Sequence, residues 1–164
     1  MANPSRRKYA ILGVAALGVL ALDQLSKWIV RNSIDPGEII EVIPGFFDLV
    51  NIRNRGAAFG FLNRSDIEWQ FWLFIGATIV ACAVIFAIAR SIRGQPILAL
   101  GLGLVLGGAL GNMFDRIHFR GVVDFIDLYW RGWHWPAFNI ADMGICLGAL
   151  IACVASWKKS EPRK

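Results

Sequence analysis

Two aspartates lie in apolar stretches of the sequence, where a carboxyl group is costly to place. Asp124 is flanked by apolar residues in GVVDF, where we expect a short extended stretch, and Asp142 ends the motif FNIAD. Two carboxyl groups that share a site of low dielectric constant do not both ionise readily, so one keeps its proton while the other is charged. The charged group can deprotonate a water molecule for attack on a peptide carbonyl, and the protonated group can stabilise the developing oxygen. The pair therefore predicts hydrolysis of a peptide bond, and the sequence assigns the shared proton to neither aspartate.

Asp142 also has a structural explanation. Asn139 has the residue type of a helix N-cap, and Asp142 then takes the third helical position, where the helix dipole favours negative charge. Considered alone, Asp142 is explained as well by helix capping as by a role in catalysis. However, the segment that contains Asp124 joins the third apolar run of the chain to the fourth, near the start of which Asp142 lies. Both carboxylates can therefore converge on one side of a membrane, which favours a functional pair.

Further polar side chains interrupt the apolar runs near the same edge. An ionisable group at the centre of a membrane span costs ~2.5 kcal/mol or more, so each such group needs a reason. Asp23 and Lys27 are four residues apart, a spacing that favours an ion pair on a helix. A role in placing a substrate or in holding the site is the alternative. Asn112, Asp115 and Arg116 share one face if the third helix continues that far, and we expect them to form a hydrogen-bonded cluster.

The elements that must position these groups are membrane spans. Hydrophobic residues make up 56% of the 164 residues, a share that soluble domains of this size seldom reach. Four apolar runs have close to the ~20 residues that cross ~30 Å of hydrocarbon as a helix. We therefore expect spans at about residues 9–30, 69–89, 96–114 and 140–157.

The distribution of charge orients these spans. The N-terminus, the connection between the second and third spans and the C-terminus lie on one side, and they carry nine of the 17 Lys and Arg residues. Of the 12 Asp and Glu residues, Glu161 alone lies there. Cytoplasmic flanks carry the basic excess, so we expect both termini in the cytoplasm and the aspartates at the extracytoplasmic face. The net charge of +5 is thus a signal of orientation, and we expect no nucleic-acid partner.

Two longer segments, residues 31–68 and 115–139, connect the spans on the outer side. Turn signals together with β-branched and aromatic residues predict short strands at 38–43 and 46–52, which would form a small sheet. Residues 115–137 hold three tryptophans and a tyrosine, a density typical of the headgroup interface. We expect a shallow loop that lies on the membrane there.

Five motifs occur in order along the chain: LDQLSK at 22–27, NRGAAFG at 54–60, GNMFDR at 111–116, GVVDF at 121–125 and FNIAD at 138–142. Together they resemble the lipoprotein signal peptidases (signal peptidase II). The resemblance implies an aspartyl endopeptidase of the bacterial cytoplasmic membrane, which removes signal peptides from prolipoproteins and cuts on the N-terminal side of a diacylglyceryl-modified cysteine. It also implies an all-α membrane fold of four transmembrane helices with a small extracytoplasmic β-cradle and a surface helix.

The resemblance also assigns roles to matching positions. Asp124 and Asp142 match the working aspartate pair of the family. We expect a single peptidase domain over residues 1–164 that works as a monomer without a metal or cofactor, with diacylglyceryl-modified prolipoproteins and the phospholipid bilayer as its partners. The positions that match pocket, support or further motif residues of the family are Asn54, Gly56, Asn112, Asp115, Arg116, Asn139, Asp23 and Lys27.

Two other functions fit parts of the sequence. His118 and His134 lie in the acidic second outer segment, as an intramembrane metalloprotease would require, but their spacing matches no H-E-x-x-H helix and favours surface positions. Buried acids could instead conduct ions or protons through a small channel or transporter. That function predicts acids along the whole membrane path, whereas the inner halves of the expected spans have none.

Overall fold

Helices dominate the computed structural model, which describes residues 4–56, 68–92 and 94–160. Within these ranges the long helices are α1 (Pro4–Ser33), α2 (Trp69–Ser91), α3 (Pro96–Phe119) and α4 (Ile140–Ser160). All four are long and apolar enough to cross a membrane. The prediction of a four-span membrane protein is confirmed, and α3 continues past its expected end at residue 114.

Helix α3 lies at the centre of the bundle and packs against α1, α4 and α2. Its glycines allow this close approach: a Cβ atom at Gly107 would collide with the carbonyl of Ala16 in α1, and one at Gly108 with the carbonyl of Ala141 in α4. Apolar burial gives helices little drive to associate in lipid, so close packing of this kind is a main source of their attraction. The start of α4 is thus held against α3 at the residue before Asp142.

A small antiparallel sheet lies beside the C-terminal ends of α1 and α3. In the described ranges its strands are β1 (Ile39–Ile43), β2 (Phe47–Asn54), β3 (Val122–Trp130) and β4 (Trp133–His134), in the order β1-β2-β3-β4. Gly45, with φ +76°, makes the tight turn between β1 and β2. The two strands predicted at 38–43 and 46–52 are confirmed, and the sheet matches the implied β-cradle.

The second outer segment differs from the shallow loop expected at residues 115–137. It begins as the last turns of α3, and Val122–Trp130 is then a strand whose backbone pairs with β2. The strand forms because Val123 and Phe125 bury their side chains against the C-terminal end of α1 while the β2 ladder satisfies the backbone. Asp124 therefore lies on a paired and packed strand.

No surface helix occurs in the part of the chain that the structure describes, where α1 to α4 account for the helices. Residues 57–67, which include the end of the NRGAAFG motif, lie outside the described residues. The implied surface helix therefore stays a prediction.

Candidate active site

Asp124 is buried on β3, and hydrogen bonds reach both of its carboxylate oxygens. Asn54 Nδ2 donates to Oδ2 at 3.0 Å, and Asn139 Nδ2 donates to Oδ1 at 2.7 Å. Asn54 can reach Asp124 because it pairs with Val122 in the β2–β3 register, two residues away on the same face. The amide of Gly56 donates to Asn54 Oδ1 at 2.9 Å, which fixes the orientation that points Nδ2 at Asp124.

Asp142 lies in the first turn of α4 and takes part in a reciprocal cap with Asn139. The Asp142 amide donates to Asn139 Oδ1 at 3.0 Å, and the Asn139 amide donates to Asp142 Oδ2 at 3.2 Å. Asn112 Nδ2 of α3 donates to the other oxygen, Oδ1, at 2.8 Å. The cap expected from the sequence is present, and its donors and the helix N-terminus stabilise negative charge on Asp142.

Asn139 therefore contacts both aspartates, and both face one cavity. Asp124 and Asp142, named the aspartate pair from here on, line a cavity of about 410 Å³ whose walls are mostly apolar. The apolar wall comes from the segment before α4 and from the first turns of that helix. The lining residues are Asn54, Gly56, Asn112, Arg116, Val122, Asp124, Trp135, Pro136, Ala137, Phe138, Asp142, Met143, Ile145 and Cys146.

The surroundings of Asp124 favour its neutral form. Burial, and after it the charge of Asp142, raise the pKa of Asp124 to about 7, against the opposing hydrogen bonds from Asn54 and Asn139 and the charge of Lys27. Near neutral pH this carboxyl group is therefore protonated in a large fraction of molecules. The arrangement fits the division into acid and base that the sequence predicted for the pair.

Asp23, Lys27 and Asp115 form a buried charge cluster behind the aspartate pair. Lys27 Nζ lies 2.9 Å from Asp23 Oδ2 and 3.0 Å from Asp115 Oδ2, and all three side chains are 0% exposed. The predicted Asp23–Lys27 ion pair is confirmed. Lys27 Nζ also donates to Asn112 Oδ1 at 3.0 Å, so the ammonium sets the orientation in which Asn112 donates to Asp142.

Arg116 connects α3 to Gly56, two residues past the end of β2, and to α2. Its guanidinium donates to the carbonyl of Gly56 at 3.2 Å and lies 4.4 Å from the ring centroid of Phe74 in α2. The expected cluster of Asn112, Asp115 and Arg116 is confirmed in part. Arg116 Nη1 donates to the backbone carbonyl of Asn112 at 3.4 Å, whereas Asp115 pairs with Lys27 in the charge cluster.

The two histidines lie away from the cavity. His134 Nδ1 is 2.8 Å from Asp127 Oδ2, and its ring stacks on Tyr129. His118 Nδ1 is 2.9 Å from the carbonyl of Phe114. Within the described ranges, no three His, Cys, Asp or Glu side chains are grouped so that they could hold a metal ion.

Sequence reasoning missed Gln24. Its Nε2 lies within hydrogen-bond distance of both carboxylates of the charge cluster, 3.1 Å from Asp23 Oδ2 and 3.1 Å from Asp115 Oδ1. The available signal was its amide in the apolar first span, next to Asp23. The apolar wall from Trp135 to Phe138 was also missed, because the tryptophans were interpreted only as membrane anchors.

Comparisons with known proteins agree on one family. A family model described as signal peptidase (SPase) II matches residues 15–158. The chain is 56% identical over 158 residues to the lipoprotein signal peptidase of Nitratidesulfovibrio vulgaris (strain DP4), covering 96% of this chain and 95% of that one. It is 57% identical over 152 residues to that of Oleidesulfovibrio alaskensis (strain ATCC BAA-1058 / DSM 17464 / G20), covering 93% and 97%.

The fold is also similar to solved structures. A bacterial membrane enzyme determined by the in meso method at 2.3 Å resolution superimposes with a TM-score of 0.80 at 30% identity, covering 92% of each chain. A second such structure, at 1.9 Å resolution, gives a TM-score of 0.76 at 32% identity, covering 90% of this chain and 92% of that one. The resemblance inferred from the five motifs is confirmed by the family match.

Proposed function

The chain belongs to the signal peptidase II family, and on this premise we propose that it is an aspartyl endopeptidase that removes signal peptides from membrane prolipoproteins. The aspartate pair activates water for cleavage on the N-terminal side of a diacylglyceryl-modified cysteine. The observation that carries the proposal is that Asp124 and Asp142 line one apolar cavity and are joined through Asn139.

Asp142 acts as the base and Asp124 as the acid. Asp142 lies at a helix N-terminus and accepts N–H donors at both oxygens, which supports its charged form. It removes a proton from water as the oxygen bonds to the scissile carbonyl carbon, and Asp124 gives its proton to the carbonyl oxygen. When the C–N bond breaks, the proton on Asp142 passes to the leaving amine, and Asp124 recovers its own proton as the new carboxyl group forms.

The apolar wall suits a lipid-modified substrate. Trp135, Pro136 and Phe138 form one side of the cavity, and Met143 and Ile145 of α4 contribute to the other. Moving an acyl chain into water costs ~0.8 kcal/mol per methylene, so a site that opens toward lipid avoids that cost. We place the site at the extracytoplasmic face of the bacterial cytoplasmic membrane with both termini in the cytoplasm, as the charge distribution predicts.

The supporting residues act on the aspartate pair or on the substrate. Asn54, held by Gly56, and Asn139 orient Asp124, while Asn112 orients Asp142. Arg116 holds the end of β2 at the edge of the cavity, where the substrate backbone would pass. The protein is proposed to work as a monomer without a metal.

The test is cleavage of a diacylated precursor by purified Asp124→Asn and Asp142→Asn proteins in phospholipid vesicles. Each change is nearly isosteric, so the protein should insert and accumulate while turnover falls by at least about 10⁴-fold, because neither amide can move the required proton. Asp127→Asn, which affects a carboxylate bound to His134 outside the cavity, is the matched control and should retain most activity. Normal turnover by both variants of the pair, or loss of activity on adding a strong chelator, would contradict the proposal.

A further inference from the structure

The charge cluster is attached to the backbone next to each member of the aspartate pair. Asp23 Oδ1 accepts a hydrogen bond of 2.9 Å from the amide of Ala141 in α4. Asp115 Oδ2 accepts one of 3.1 Å from the amide of Val123 in β3. These amides belong to the residues that directly precede the two aspartates in the chain. One hydrogen bond on each side therefore links the carboxylates of Asp23 and Asp115 to the backbone next to Asp142 and Asp124. A change in the distance between the two cluster carboxylates would shift the aspartate pair.

Gln24 lies between those two carboxylates. Its Nε2 is 3.1 Å from Asp23 Oδ2, 3.1 Å from Asp115 Oδ1 and 3.2 Å from the carbonyl of Gly111. Two buried carboxylates repel each other strongly unless donors lie between them. Lys27 supplies one such donor and Gln24 the other. Gln24 does not occur among the described residues that line the cavity, so any effect on the reaction passes through its neighbours.

We infer that Gln24 is a positioning residue, which holds Asp23 and Asp115 at a fixed separation and thereby sets the separation of the aspartate pair. The inference rests on the proposed function and adds a residue to which no role was assigned. Without Nε2, Lys27 remains as the donor between the two carboxylates, which then move apart. Each carries its backbone amide with it, and the two catalytic carboxyl groups separate.

Such a separation would be visible in the pH dependence of kcat. The charge of Asp142 helps to raise the pKa of Asp124, so a larger distance lowers that pKa and moves the alkaline limb of the profile to lower pH. A mere loss of folded protein would lower the rate equally at every pH. The other groups that act on Asp124 are the amides of Asn54 and Asn139, the ammonium of Lys27 and the guanidinium of Arg116.

The experiment is a pH profile of kcat and KM for Gln24→Met, which keeps the length of the side chain and removes its donors. The diacylated precursor is the substrate, in phospholipid vesicles. We expect kcat to fall by about tenfold or more with KM changed less than about twofold, and the alkaline limb to move down by about half a pH unit or more. Ser26→Ala is the matched control, because among the described residues its hydroxyl donates to the backbone carbonyl of Asp23 in the same helical turn and contacts neither carboxylate. An alkaline limb that does not move in Gln24→Met overturns the inference.

A second variant, Gln24→Glu, tests the same point if the methionine variant fails to accumulate. Glutamate donates a hydrogen bond only when protonated, so activity relative to the unchanged protein should fall as the pH rises. A ratio that is independent of pH would contradict the positioning role. Asp124→Asn and Asp142→Asn are measured in parallel. Normal turnover by those two variants would contradict the proposed function. If both are inactive and the alkaline limb of Gln24→Met does not move, this inference alone is wrong.

Discussion

Asn139 serves a helix and the aspartate pair with one buried side chain. Its Oδ1 accepts the amide of Asp142 and so caps α4, while its Nδ2 donates to Asp124. Asparagine can do both because one end of its amide is an acceptor and the other a donor. Aspartate would cap the helix equally well, but it would place another carboxylate against Asp124. The proposed acid–base chemistry therefore requires the amide, although capping alone does not.

The pH dependence of the reaction follows from the environment of Asp124. Its pKa is raised to about 7, so we expect kcat to fall as the pH rises above about 7 and the acid loses its proton. Asn54 donates to the charged form, and its removal in Asn54→Ala should raise the pKa of Asp124 further, moving the alkaline limb up by about half a pH unit to one unit. The measurement is kcat for a diacylated precursor from about pH 5 to about pH 10. A limb that moves to lower pH in this variant would contradict the assignment of Asp124 as the acid.

At the scale of elements, the contact between α3 and α4 positions the start of α4. A Cβ atom at Gly108 would collide with the carbonyl of Ala141, directly before Asp142. Gly108→Ala should therefore destabilise the protein by ~1–3 kcal/mol and lower kcat. Gly18→Ala in α1 is the control: a Cβ atom there meets nothing within 4 Å, and the helix gains up to ~1 kcal/mol from the better helix former. Thermal unfolding in detergent beside turnover checks both, and equal melting temperatures for the two variants would show that the packing argument is wrong.

The sequence predicted the elements whose signal is local. Apolar length alone gave the helices, and turn residues with β-branched neighbours gave β1 and β2. The extended stretch around Asp124 was predicted, but its pairing with β2 was not, because β2 is distant in sequence and the composition of the stretch is equally typical of an interfacial loop. Burial against the C-terminal end of α1, together with the β2 ladder, decides that this segment is a strand.

For the candidate site, spacing along one helix predicted contacts within that helix, but the sequence did not predict the contacts between helices. Asp23 and Lys27 were paired correctly because residues four apart meet on any helix. Asp115 was expected beside Asn112 and Arg116 on α3, yet it pairs with Lys27 of α1. That contact depends on the rotation of α3 against α1, which the small residues of the interface determine and helical periodicity does not.

At the scale of the whole molecule, the apolar cavity wall predicts a requirement for lipid on the substrate. The acyl chains of the diacylated precursor hold the modified cysteine at the depth of the cavity, and a poorly placed scissile bond can cost about 100-fold in rate. We therefore expect kcat/KM for an unmodified precursor to be lower than for its diacylated twin by about that factor. The measurement is cleavage of the two precursors side by side in vesicles. Equal processing of both would refute the lipid requirement and leave the aspartate chemistry untouched.

The charge cluster has a consequence for the order in which the chain enters the bilayer. Helix α1 is synthesised first, and it brings Asp23 and Lys27 into the membrane before Asp115 of α3 exists. Either charge alone would cost ~2.5–3.5 kcal/mol at mid-membrane, but the two neutralise each other within a single helix. Asp23 and Lys27 can therefore enter the lipid as a neutral pair on the newly synthesised α1. The charge cluster is completed only when α3 has inserted and Asp115 also pairs with the ammonium of Lys27.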